Sequence, residues 1–208
     1  MDTREAYNNW SQQYDTNENK TRDLEAIALK TILRSIDLKN VLEIGCGTGK
    51  NTVWLTTKAK QITAVDLSEE MLAKAKAKIN NNAVQFIQAD ITAQWGFAEK
   101  KYDLVTFSLV LEHIQNLDPI FSEVSKILNK GGFIYIGELH PFKQYSGSKA
   151  RFETEHGTQV VTCYDHHISE FIQTAKKYGF AVADINEFFD NDDRSTIPRI
   201  LTLLLKKI

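Results

Sequence analysis

The feature that most constrains this chain is the run Val41-Leu42-Glu43-Ile44-Gly45-Cys46-Gly47-Thr48-Gly49-Lys50-Asn51-Thr52. A short apolar stretch closes near an acid, three glycines alternate with small residues, and a helix-compatible segment follows. This pattern predicts a buried strand, a tight turn and a helix N-terminus. Alternating glycines let the backbone take positive φ and come close to a ligand. The free N–H groups at the helix start favour an acceptor or anionic group. The turn therefore predicts a site for a nucleotide-like cofactor.

The rest of the chain alternates strand and helix patterns around that turn. Residues 1–20 are polar, with Tyr7, Trp10 and Tyr14 spaced for one helical face. That face either packs on the domain or covers a pocket. Residues 22–36 carry Leu24, Ile27, Leu29, Ile32, Leu33 and Ile36 in an amphipathic helical pattern. Strands are expected at 40–44, 61–66, 84–90, 102–108 and 133–137. A short helix is expected over 50–58, a second capped by Ser68, and a weak helix or loop over 92–100. Another helix is expected to open at Asp118-Pro119 and stop at Gly131-Gly132.

The alternation breaks at Pro141. Basic and aromatic residues over 141–165, with a turn at His156-Gly157, predict an inserted hairpin. A helix from Ile168 to Gly179 then leads to a sixth strand at 180–188. The loop before the last strand, 199–206, is too short for a helical crossover, so that strand is expected to run antiparallel. The fold class is α/β, a seven-stranded, mostly parallel sheet with helices on both faces. One domain is expected over 1–208, with an N-terminal helical cap at about 1–36 and a hairpin lid at about 141–166.

Composition narrows the function classes. Apolar content of 42% and charged content of 25% are those of a globular protein. A formal net charge of −2 gives no electrostatic reason to expect nucleic acid or a membrane surface as partner. Of the two cysteines, Cys46 lies inside the glycine turn, so a reducing compartment is expected. No apolar run suits a signal peptide or a membrane span. These readings predict a cytoplasmic protein.

In an open parallel sheet the ligand lies beyond the carboxyl ends of the strands. Here those ends carry Glu43, Asp66, Asp90, Ser108 and Glu138. The glycine spacing then separates cofactors. A dinucleotide fingerprint is Gly-x-Gly-x-x-Gly, whereas the third glycine here, Gly49, stands one residue too early. A nicotinamide-dependent oxidoreductase is therefore the disfavoured alternative.

On Glu43-Ile44-Gly45-Cys46-Gly47-Thr48-Gly49, Val65-Asp66-Leu67-Ser68, Gln88-Ala89-Asp90-Ile91 and Ser108-Leu109-Val110-Leu111-Glu112-His113, the chain resembles the class I S-adenosylmethionine-dependent methyltransferases. It is similar to the small-molecule enzymes of the type 11 and ubiquinone/menaquinone-biosynthesis group. The resemblance covers residues 38–140 well and implies a Rossmann-like sheet ending in an antiparallel hairpin. It implies S-adenosyl-L-methionine as cofactor and S-adenosyl-L-homocysteine as product. It also implies that Gly45 and Gly47 hold the methionine portion, with Gly49 in the same turn. Glu43 would shape that turn or receive the amino group, which would also meet the Ser108 carbonyl. Asp66 would take the ribose hydroxyls, Leu67 and Met71 would flank the adenine, and Asp90 and the Ile91 backbone would pair with its edge.

Methyl transfer from a sulfonium needs an aligned nucleophile and, for a high-pKa oxygen or nitrogen, a base. His140, just past the fifth strand, is the expected base, with His113, His166 and His167 as further candidates. Glu138 could orient a base or bind an amine, and Trp10 and Tyr14 could close the pocket. The spacing of the histidines matches no familiar metal site, so no metal is expected. The expected partner is a small-molecule methyl acceptor. A non-catalytic S-adenosylmethionine-binding protein is the other alternative.

Overall fold

A computed structural model describes residues 2–154 and 157–208. Its strands are β1 (Asn40–Ile44), β2 (Gln61–Asp66), β3 (Val84–Gln88), β4 (Tyr102–Ser108), β5 (Leu128–Leu139), β6 (Arg151–Thr154), β7 (Gly157–Val160), β8 (Phe180–Phe188) and β9 (Ile200–Lys207). Seven of them form one sheet in the order β3-β2-β1-β4-β5-β9-β8. β1 to β5 pair in parallel, and β9 runs antiparallel between β5 and β8. The strand order reverses between β1 and β4, which opens a crevice beyond their carboxyl ends.

The helices are α1 (Thr3–Trp10), α2 (Lys20–Leu33), α3 (Lys50–Leu55), α4 (Glu69–Lys78), α5 (Leu117–Ile127), α6 (Pro141–Tyr145) and α7 (Ile168–Lys177). β1 shows how the sheet is covered on both faces. Leu42 and Ile44 join a core built with Phe121 of α5, Phe171 of α7 and Phe180. Val41 points the other way, into a core with Leu29 and Leu33 of α2 and Leu55 of α3. The period-2 alternation of a strand feeds both layers. α4 follows β2 because Ser68 caps it, its hydroxyl accepting from the Met71 N–H at 3.1 Å.

Several local expectations are corrected. α1 ends at Trp10, so Tyr14 lies on the following turns rather than on the helix. In α2 the buried stripe runs through Glu25, Leu29 and Leu33, while Ile27 is 56% exposed. Asn116, not Asp118, caps α5, accepting from the Asp118 N–H at 3.0 Å. Gly131-Gly132 does not stop α5, which gives way at Leu128 to β5; Gly131, at φ 79°, lies within that strand. The insertion opens with helix α6 before the β6–β7 ribbon, in which Thr154 pairs with Gly157. His156, expected at its turn, lies outside the described residues.

Candidate functional site

The glycine turn after β1 builds the floor of the crevice. Gly45, Gly47 and Gly49 have φ of 69°, 53° and 85°, a region that side chains other than glycine rarely enter. The Gly45 and Cys46 N–H groups donate to the Val65 carbonyl at 2.8 and 3.0 Å, tying the turn to β2. At the end of β2, Asp66 accepts from the Gly47 N–H at 2.7 Å and the Ser68 N–H at 2.8 Å. Burial raises the Asp66 pKa, and these backbone donors counter it. Asp66 also lines the crevice, where a carboxylate can accept from a ligand.

A cavity of about 280 Å³ lies above this floor. Gly45, Gly47, Asp66, Leu67, Asp90, Ile91 and Ser108 line it, joined by Tyr7, Tyr14, Leu109 and His113. Among the described residues, its side chains include the carboxylates of Asp2, Asp66 and Asp90 and no lysine or arginine. Asp90 accepts from the Thr92 N–H and hydroxyl with Oδ1, at 2.8 and 2.6 Å.

A smaller space of about 40 Å³ adjoins it under Gly45 and Gly47. Arg22, Glu25 and Glu43 face it. The Arg22 guanidinium lies 4.6 Å from the Tyr14 ring centre and donates to the Tyr14 and Asn17 carbonyls. Glu25 accepts from Asn51 at 3.0 Å and from the Tyr135 hydroxyl at 3.1 Å. Glu43 accepts from the Thr52 hydroxyl at 2.6 Å. Burial, with the Glu25 and Asp66 charges adding, pushes its pKa up to about 8.

Because that value is raised, folded Glu43 holds a proton the unfolded chain has released between pH 4.5 and about 8. Its contribution to stability therefore falls as pH rises through this window. The neutral isostere Glu43→Gln should gain at least about 1 kcal/mol relative to wild type between pH 5 and pH 8. Urea denaturation at the two pH values reads this directly.

A second chamber of about 190 Å³ shares Tyr7, Tyr14 and Leu109 with the main cavity. Its other walls include Trp10, Thr21, Glu112, Lys149, Arg151 and Arg199. The loop after β4 forms the partition. Leu109 sits at φ 57°, its N–H donating to the Gly137 carbonyl at 2.8 Å. Buried Glu138 fixes the next turn, accepting from the N–H groups of Val110, Leu111 and Glu112 at 3.0, 2.8 and 3.4 Å. On the partition the Tyr7 hydroxyl lies 2.8 Å from His113 Nε2. His113 Nδ1 lies 2.9 Å from the Thr162 carbonyl, which can only accept. This assigns the proton to Nδ1 and leaves Nε2 to accept from Tyr7.

The family described as "Methyltransferase domain" matches residues 42–136, which hold the turn, Asp66, Asp90 and the β4 loop. A structure from Listeria monocytogenes described as an S-adenosylmethionine-dependent methyltransferase superposes with a TM-score of 0.75 at 25% identity. The match covers 89% of this chain and 99% of that one. Residues 42–136 form a methyltransferase domain of the class I S-adenosylmethionine-dependent type. An uncharacterised methyltransferase of Emericella nidulans is 24% identical over 89% of this chain and 78% of its own length. A ubiquinone biosynthesis O-methyltransferase of Hydrogenovibrio crunogenus is 29% identical over 69% of this chain, which spans 60% of it.

The cavity of this methyltransferase fits the family's cofactor. A Cβ placed on Gly47 would meet no atom within 4 Å, so the missing side chain leaves space for a ligand against the backbone. A wall with three carboxylates suits a molecule carrying a sulfonium and an ammonium.

The structure gathers most, but not all, of the expected site residues. Gly45, Gly47, Asp66, Leu67, Asp90, Ile91, Ser108 and Tyr14 line the main cavity, and Glu43 the smaller space below. Gly49 instead packs the start of α3, where a Cβ would fall 2.7 Å from Ile79 Cδ1. Met71 is fully buried among Ala6, Trp10, Phe152 and Val161, away from the cavity. Trp10 stacks on Phe152 with ring centres 5.1 Å apart and faces the second chamber.

The expected base is displaced. Buried His140 caps α6, its Nδ1 accepting from the Phe142 N–H at 3.2 Å and its Nε2 3.1 Å from Glu187. It lines none of these three spaces. His166 is held by Glu170 at 3.1 Å and the Ile114 carbonyl at 2.8 Å, and His167 Nδ1 lies 2.6 Å from the Tyr145 hydroxyl. Glu138 is a backbone anchor, with no histidine to orient. Glu112, His113 and Cys163 bring ligand-type atoms within 4.8 Å of one another, but both His113 nitrogens already have partners.

Two residues, Arg22 and Glu25, and the pairing of Tyr7 with His113 were not expected from the sequence. Arg22 was not singled out. Tyr7 and His113 were noted apart, and nothing local pairs residues so distant in sequence. Glu25 did leave a signal, because an acid stands four residues before Leu29 and eight before Leu33 on the face that must be buried.

Proposed function

We propose that this chain transfers a methyl group from S-adenosylmethionine to a small-molecule acceptor held in the second chamber. The observation that carries the proposal is the partition. Tyr7, Tyr14 and Leu109 border both spaces, so a cofactor on one side and an acceptor on the other meet there.

The residues take complementary parts. Asp66 accepts from the ribose hydroxyls, Asp90 from the adenine amine with its remaining oxygen, and Leu67 and Ile91 flank the ring. Gly45 and Gly47 let the methionine portion lie on the backbone. Arg22 meets its carboxylate, and Glu43 or the Ser108 carbonyl receives its ammonium. α1 and the β6–β7 ribbon roof the acceptor and exclude water, with Trp10 stacked between them.

When bound, the cofactor would supply an activated methyl carbon to the acceptor's lone pair, with the carbon–sulfur electron pair left on sulfur. The acceptor's proton passes to the Tyr7 oxygen as the Tyr7 proton moves to His113 Nε2. Burial holds the Tyr7 pKa well above its ordinary value, so the phenol relays a proton rather than standing ionised. Glu112, 3.9 Å from His113 Nε2, steadies the resulting imidazolium.

The test is incubation with methyl-labelled S-adenosylmethionine and a small-molecule extract. Label should appear in small molecules with wild type and vanish with Asp66→Ala. Label confined to protein or nucleic acid, or found in nothing, contradicts the proposal.

A further inference from the structure

We infer that the second chamber selects acceptors bearing an oxyanion, a carboxylate or phosphate group, through Lys149 and Arg151 beside a fixed Arg199. The inference rests on the reading of that chamber as the acceptor site. Charge is segregated across the Tyr7–Leu109 partition. Among the described residues, the main cavity carries three carboxylates, and the cofactor side's cations, Arg22 and Lys50, stand only in the smaller space below, whereas the acceptor side carries these three cations and one acid, Glu112.

The cations are not equivalent. Arg199 is held bidentately by Asp190, both contacts at 2.6 Å, and donates to Thr21 at 3.1 Å. It is oriented, and its charge is largely matched. Among the described residues, neither Lys149 nor Arg151 has an ion-pair partner. Both are exposed at the chamber rim, on the segment leading into β6 and on β6 itself. An anionic ligand would supply the missing counter-charge, and a planar carboxylate or a phosphate suits the arginine fork.

Glu112 adds a second requirement. Among the described residues its buried Oε2 has no hydrogen-bond partner of its own, the Cys163 thiol lying beside the carboxylate. A buried acceptor atom gains from a donor, so the acceptor molecule brings a hydroxyl or amine as well as its oxyanion. That donor group, next to the Tyr7 hydroxyl, is the one placed to receive the methyl.

The experiment titrates the S-adenosylhomocysteine-loaded protein with phenyl phosphate, benzoate and the neutral benzyl alcohol at low salt. At least one anion should bind about tenfold or more tighter than the alcohol, a difference that salt reduces. The exposed double variant Lys149→Gln/Arg151→Gln should lose that preference while keeping S-adenosylhomocysteine affinity within about twofold. Preference for phenyl phosphate over benzoate assigns a phosphate acceptor, and the reverse a carboxylate. Equal binding of anions and alcohol, or a preference that survives the double variant, overturns the inference. Failure of wild type to bind S-adenosylhomocysteine overturns the underlying reading instead.

Discussion

Glu138→Ala should cost about 3 kcal/mol or more of stability and remove cofactor binding with it. The carboxylate accepts from three successive backbone N–H groups, at Val110, Leu111 and Glu112. Each buried donor left without a partner costs about 1–3 kcal/mol. The 3.4 Å bond from Glu112 is the weakest of the three, which keeps the sum toward the lower end. Burial and the neighbouring Glu112 charge push the Glu138 pKa up to about 8, so the wild-type gain is already offset in part. Glu138→Gln keeps one accepting oxygen but turns an amide N–H₂ toward the same donors, so it should fall between wild type and alanine. Chemical denaturation orders the three proteins. An alanine variant as stable as wild type would mean that the β4 loop holds itself.

Gly45→Ala should be the other severe change. Its Cβ would fall 2.2 Å from Val110 Cγ2, and the residue sits at φ 69°. Positive φ costs an alanine about 1–2 kcal/mol, and forcing a methyl against a packed side chain about 1–3 kcal/mol more. The sum, about 2–5 kcal/mol, is a large share of a typical domain's stability. Adding Val110→Ala removes the clashing methyl but leaves the backbone strain. The double variant should therefore be more stable than Gly45→Ala alone, although Val110→Ala by itself destabilises. Gly47→Ala makes the contrast, since its Cβ meets nothing within 4 Å. It should lose only about 1–2 kcal/mol, the cost to an alanine of its own positive φ of 53°, yet weaken S-adenosylhomocysteine binding, because its methyl enters the cavity.

The parts of this site that were legible in the sequence are those written in neighbouring residues. Strand, glycine turn and helix follow one another from Val41 to Leu55, and Asp66 closes the adjacent strand, so spacing alone carried them. The antiparallel β9 was legible for the same reason, from a connection too short for a crossover. Residues whose roles depend on distant partners were not legible. His140 stands where a base could act, but Glu187 and the Phe142 N–H take its ring nitrogens. Tyr7 and His113 become a pair only when α1 folds over the β4 loop. Gly131-Gly132 resembles a helix stop, yet the pairing of β5 with β4 and β9 carries the strand around it.

The central claim is that Asp66, at the end of β2, grips the cofactor through hydroxyls that no backbone group can replace. Calorimetric titration of S-adenosylhomocysteine into wild type and Asp66→Ala tests it most directly. Loss of two hydrogen bonds to a carboxylate, each worth about 1.5–3 kcal/mol, should weaken binding about 150-fold or more. Wild type should bind one equivalent, and the variant should keep the far-UV circular dichroism of the fold. An Asp66→Ala protein that is folded and binds S-adenosylhomocysteine as tightly as wild type would contradict the account.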